Sequence, residues 1–249
     1  MQVLEFGDIT KRKIIFINGF QLPVEIFTPY IEEYKNDFHI LIPIFPEHNS
    51  KENKPFSSFE LLAEEFEQYY ITKYGHEVHA AWGISMGGVF LATLWQNQKL
   101  NFKNIIFDGS SLIPINKFVS TVLIKYYLYL THKAQNRKKW VLSQAVKKII
   151  NKENLNEFLY ILDNMSDDTI INMIRATTSF QFNDIAKLKG SCHYFYGSNI
   201  DEILGRWSAN YLKNNYSSLE VKSFKGKSHC EVLLYCRELM IAELSKIFY

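Results

Sequence analysis

Apolar residues along this chain change their spacing from segment to segment, from short unbroken runs to repeats every three or four positions. That alternation predicts a mostly parallel sheet flanked by helices. Runs at residues 2–6, 13–17, 39–43, 104–107, 192–196 and 219–224 read as strands. Ile14, Ile15, Phe16 and Ile17 form the continuous apolar stretch expected of a strand buried on both faces. Between strands, Phe27, Tyr30, Ile31 and Tyr34 fall at helical spacing. Leu61, Leu62, Phe66 and Tyr69 mark another helix behind a Ser57-x-x-Glu60 capping box. Two later helices are predicted at 203–212 and, as one piece, at 231–248.

The rhythm breaks between about residues 114 and 184, where only helical patterns occur in succession, at 117–133, 138–150, 154–164 and 166–176. The second carries Val141, Leu142, Ala145, Val146, Ile149 and Ile150, paired apolar residues every four positions. The chain therefore divides into a core at 1–113, an all-helical cap inserted at 114–185, and the remainder of the core at 186–249.

One short stretch carries the chemistry. Val78, Ala80, Ala81 and Trp82 lead into Gly83-Ile84-Ser85-Met86-Gly87-Gly88, and Val89, Phe90 and Leu94 continue at helical spacing. A strand, a sharp turn and a helix with a serine at the apex make Ser85 a nucleophile candidate, exposed above the sheet at the positive end of a helix. A serine hydroxyl needs an adjacent base, itself oriented by an acid. His229 follows the strand 219–224 and the loop Lys225-Gly226-Lys227-Ser228, which puts it on the rim of the sheet with Ser85. His39 reads as packing, and His48, in a loop after a strand, is placed to line the pocket. The acid should follow the strand before the histidine, where Gly197-Ser198-Asn199-Ile200-Asp201-Glu202 offers Asp201 first, with Glu202 and the strand-terminal Asp108 as alternatives. Backbone N–H groups of Met86 and of Phe20, in the turn Asn18-Gly19-Phe20, supply an oxyanion hole.

These segments together resemble the α/β-hydrolase fold of the esterase, lipase and thioesterase type with a helical cap. The residues that carry the resemblance are Asn18-Gly19-Phe20, Gly83-x-Ser85-Met86-Gly87-Gly88, Gly197 with Asp201, and Gly226-x-x-His229, in the order nucleophile, acid, histidine. Two departures stand out: Asn18 occupies a position where such proteins usually have histidine, and Asp201 falls four residues after Gly197 where three is usual. The resemblance implies a serine hydrolase that cleaves a carboxylic ester or thioester through an acyl-enzyme. A ligand-binding protein on the same scaffold, or a hydrolase or lyase acting on an amide or C–C bond, is the alternative.

Composition narrows the partners. Of 249 residues 47% are hydrophobic and 15% aromatic, and the net charge is only +2, which gives no nucleic-acid footprint. Residues 118–130 are apolar almost without interruption, so the expected substrate is a small-to-medium apolar acyl or aromatic molecule. Lys125 interrupts the same run, and no membrane span is expected. His132-Lys133, Arg137-Lys138-Lys139 and Lys147-Lys148 form a basic cluster that reads as a solvated face or an anion-attracting one. Cys192, Cys230 and Cys236 show no framework spacing, which favours reduced thiols in the cytoplasm. Without His-x-x-x-His or Cys-x-x-Cys pairs or a phosphate loop, neither metal nor cofactor is expected.

Overall fold

The computed structural model describes residues 1–48 and 54–249. Its strands are β1 (Val3–Phe6), β2 (Arg12–Ile17), β3 (Phe38–Pro43), β4 (Glu77–Ile84), β5 (Asn101–Asp108), β6 (Ser191–Gly197) and β7 (Leu219–Phe224). They form one sheet in the order β1-β3-β2-β4-β5-β6-β7. Only β1 runs antiparallel, against β3, and every other pairing is parallel. The helices are α1 (Thr28–Tyr34), α2 (Phe59–Tyr74), α3 (Met86–Asn97), α4 (Lys117–Gln135), α5 (Lys139–Lys148), α6 (Leu155–Asn164), α7 (Asp167–Ser179), α8 (Ile203–Asn215), α9 (Glu231–Tyr235) and α10 (Arg237–Phe248).

Successive strand residues point to opposite faces, so one apolar run feeds two cores. Ile15 and Ile17 of β2 and Ala81 of β4 belong to the cluster under α2, α3 and α8. Ile14, Phe16, Ala80 and Trp82 belong to the cluster under α1 and α10. Trp82 anchors the second core, with the rings of Tyr30, Phe16 and Phe27 set edge-on at 5.1, 5.5 and 5.6 Å. A central parallel sheet covered on both sides has this character, and it is why Ile14 to Ile17 of β2 and Ile40 to Ile42 of β3 read as unbroken apolar runs.

Most element ends shift by one to three residues from the pattern in the sequence, and three differences are instructive. The cap of α2 is Ser58 rather than Ser57, its side chain accepting from Leu61 N–H at 3.3 Å. α4 runs two residues past the expected end at 133. The single helix expected over 231–248 is broken at Cys236, whose backbone leaves the helical region at φ −124° and ψ 50°. At the break, Tyr235 donates its hydroxyl to Val146 O at 2.8 Å and Arg237 pairs with Glu153 at 2.8 Å. The interruption thus turns two side chains toward α5 and the turn before α6, which periodicity within one segment cannot signal. Among the described residues no helix is long and apolar enough to cross a membrane.

Candidate active site

The parallel strands β2, β4, β5, β6 and β7 all end on one edge of the sheet, so the loops that follow them meet there. Ser85 stands at the junction of β4 and α3 with φ 52° and ψ −117°, a strained region for a residue with a side chain. Tight packing below the turn holds it there. A Cβ on Gly83 would fall 2.7 Å from the Cα of Gly88, so only glycine lets strand and helix approach this closely. The Ser85 N–H donates to Asp108 O at 2.7 Å, tying the turn to the end of β5. Met86 opens α3, so its N–H has no carbonyl one turn earlier to bond.

A cavity of about 200 Å³ brings together Phe20, Ser85, Met86, Asp201, Glu202 and His229. His229 reaches it from the loop after β7, with its side chain 35% exposed. Asn199 holds that loop, donating from its side chain to Ser228 Oγ at 2.9 Å and to Gly226 O at 3.2 Å.

The carboxylate on the imidazole is that of Glu202, not Asp201. His229 Nδ1 lies 3.0 Å from Glu202 Oε1, whereas Asp201 Oδ2 accepts only from the His229 backbone N–H at 3.4 Å. The cause lies in the short 3₁₀ turn Ile200–Glu202, which leaves Asp201 exposed and turns Glu202 inward, where it is 2% exposed. Space for the longer side chain comes from Gly205, since a Cβ there would sit 2.7 Å from Glu202 Oε2. Asp108, the third candidate, is buried beside the pair without bonding the imidazole. Burial first, then the charge of Glu202, push its carboxyl up to about 7, with His229 acting against them. Burial works against a charge on His229, but the Cys230 sulfur and the Glu202 carboxylate outweigh it and hold the pKa well above the ordinary value. Cys230 itself is buried in the apolar cluster, in the left-handed conformation that opens α9.

The turn carrying Phe20 is braced by four contacts, from within the turn, from His48 and from α4. Asn18 is fully buried and its amide donates to Leu22 O. His48, expected to line the pocket, lies beneath the turn instead. It is buried, its pKa driven down to about 4 chiefly by burial, so the ring is neutral at pH 7. Its Nδ1–H then donates to Pro46 O at 3.0 Å while Nε2 accepts the Gln21 N–H at 2.9 Å. Gln21, at φ 60°, donates its side-chain amide to Thr131 Oγ1 on α4 at 2.8 Å. Tyr127 of α4 closes over the Phe20 ring edge-on at 5.3 Å. A histidine two residues after a Pro in the loop following β3 was the available signal, but nothing local tells a brace from a pocket wall.

The strand order, the serine turn and the rim of loops define the α/β-hydrolase fold. An α/β hydrolase family protein from Desulfitobacterium hafniense superposes with a TM-score of 0.80 at 16% identity, covering 100% of both chains. The esterase from Exiguobacterium antarcticum gives 0.79 at 13% identity over 99% of this chain and 95% of that one. MenH from S. aureus gives 0.74 at 13% identity over 99% of both. At these identities the likeness is one of fold. In sequence, no family model and no curated protein matches the chain.

Proposed function

We propose that the protein is a serine hydrolase acting on carboxylic esters or thioesters through an acyl-enzyme. The observation that carries this reading is a serine at a strained strand–helix turn sharing one cavity with a histidine whose other nitrogen is bonded to a buried carboxylate. Ser85 attacks the carbonyl carbon. His229 Nε2 takes the seryl proton and returns it to the leaving group. Glu202 holds the imidazole in the tautomer with its proton on Nδ1 and stabilises the imidazolium. The N–H groups of Met86 and Phe20 receive the negative charge that develops on the carbonyl oxygen. Water then repeats the attack on the acyl-enzyme with the same base.

Helices α4 to α7 serve as the cap in this reading. Leu123 and Tyr127 of α4 and Ile174 of α7 face the cavity above Ser85, together with Ile115 and Leu204. Such a lining favours an apolar acyl chain of small to medium length over a sugar or a charged metabolite. The three free thiols favour a reducing compartment, the cytoplasm. p-Nitrophenyl ester turnover tests the reading. kcat/KM rises from acetyl toward hexanoyl, with about 0.8 kcal/mol for each CH₂ buried, and Ser85→Ala lowers kcat by about 10⁵ or more. Turnover that survives Ser85→Ala contradicts the mechanism, and a flat chain-length series contradicts the acyl pocket.

A further inference from the structure

Residues 109–152 contain eight lysines and one arginine but no aspartate or glutamate. These nine take a third of the chain's 28 basic residues and leave 19 to face all 26 acidic ones. A protein of nearly neutral net charge therefore has one strongly positive region, the turn of chain that forms α4 and α5. Arg137 is engaged by Asp163 at 2.6 Å, whereas among the described residues none of the eight lysines pairs with a carboxylate.

The same helices expose an apolar ridge. On its inner side α4 packs Leu123, Ile124, Tyr127 and Leu128 against Ile161, Met165, Ile170 and Ile174. Its outer side repeats Phe118, Val122, Tyr126 and Tyr129 at spacings of four, four and three, all exposed, with Phe118 at 76%. Trp140 of α5 extends the row, half exposed, its ring 6.5 Å from that of Tyr129. The lysines border the row: the Lys133 ammonium sits 5.2 Å over the Tyr129 ring, and Lys148 edges the same cleft as Tyr126 and Trp140. The nearly unbroken apolar run at residues 118–130 is thus covered on one side only.

We propose that the outer face of α4 and α5 is a docking surface for a lipid leaflet rich in anionic phospholipid. Phenylalanine and valine supply a group to seat among the acyl chains, and Tyr126, Tyr129 and Trp140 suit the headgroup level. The surrounding charge is on flexible lysine stems, which answer a diffuse negative field, and the one arginine fit for a fixed bidentate partner is already occupied. A planar leaflet meets both needs at once, apolar along the ridge and anionic around it. The surface stands independently of the chemistry at Ser85. Docking there sets the outer side of α4 against lipid while the inner side of the same helix faces the cavity.

Co-sedimentation of the full chain with vesicles tests the proposal. Partition onto an equal mixture of phosphatidylcholine and phosphatidylglycerol exceeds that onto phosphatidylcholine alone by about tenfold or more, and about 0.5 M salt abolishes the difference. Lys125→Glu with Lys133→Glu lowers the partition by at least about tenfold, as does Phe118→Asp with Tyr126→Asp, while p-nitrophenyl acetate turnover in lipid-free buffer stays unchanged. Trp140 emission shifts to the blue with the anionic vesicles only, and Trp140→Phe removes the shift. Equal partition onto both vesicles, no partition, or partition indifferent to these substitutions overturns the proposal. So does a stable dimer in light scattering that Phe118→Asp converts to monomer, since the ridge would then be an interface between two copies.

Discussion

The rim of loops around Ser85 and the outer face of α4 are made of the same chain by opposite rules. At the rim the groups that set the geometry of the turns and of the imidazole are bonded to one another. Ser85 is tied to Asp108, Gln21 to His48 and Thr131, Asn199 to Ser228, and His229 to Glu202. Strain at Ser85 and Gln21 persists because those bonds and the packing below over-determine it. Along α4 the large outward side chains touch little, and eight lysines nearby have no described acidic partner. A region built to hold atoms in place spends its residues on one another. The outer face of α4 leaves them unmatched, as a docking surface would.

The largest expected effect at the rim lies with the acid. Glu202→Gln lowers kcat by about 10³ to 10⁴ with the fold intact, because the amide no longer fixes the tautomer of His229, while Asp201→Asn stays within about threefold of the parent. The pH profile sharpens the same point. A base must be neutral to act, and the pKa of His229 is raised, so activity falls as pH drops through a value above 6.5. Losing the Glu202 charge removes one cause of that rise, so the limb moves to lower pH in Glu202→Gln and stays put in Asp201→Asn. A deeper loss in Asp201→Asn would shift the role to the exposed carboxylate.

A smaller effect is expected at His48. His48→Phe keeps a ring in the core but leaves the Gln21 N–H without its acceptor, costing about 1–3 kcal/mol of stability. It also lowers kcat by about tenfold with KM nearly unchanged, since the loosened turn carries the proposed Phe20 donor, whose role is to act on the transition state. A histidine that merely packs would move the melting temperature and leave kcat alone. The smallest effect belongs to the other region. Phe118→Ser changes unfolding free energy by less than about 0.5 kcal/mol, whereas Trp82→Ala costs about 3–5 kcal/mol. A large loss from Phe118→Ser would mean that α4 needs its outer face for folding.

What the chain disclosed in advance follows the same division. Strands buried on both faces announce themselves, because Ile14 to Ile17 leave no polar position to explain otherwise. The serine turn was legible because strand, small residues and helix stand together within a dozen positions. The carboxylate on His229 was not, since Asp201 and Glu202 are adjacent and only the 3₁₀ turn and the room beside Gly205 decide which points inward. His48 lies 27 residues from Gln21, and such a contact has no local pattern. The break at Cys236 escaped periodicity for the same reason, its partners lying across the fold on α5 and before α6. For α4, composition announced an apolar helix but not that only one side would be covered, which depends on where α6 and α7 pack.

The proposed activity requires one activated serine, and labelling the folded protein with a fluorophosphonate tests for it. Only a hydroxyl whose proton a neighbouring base removes attacks phosphorus at a useful rate, so the reagent reads activation rather than exposure. Intact mass followed by peptide mapping should show one adduct, on Ser85, that is absent from Ser85→Ala and from heat-unfolded protein and strongly slowed in His229→Ala. No adduct on the folded chain, or an adduct that persists when Ser85 is alanine, would contradict the assignment.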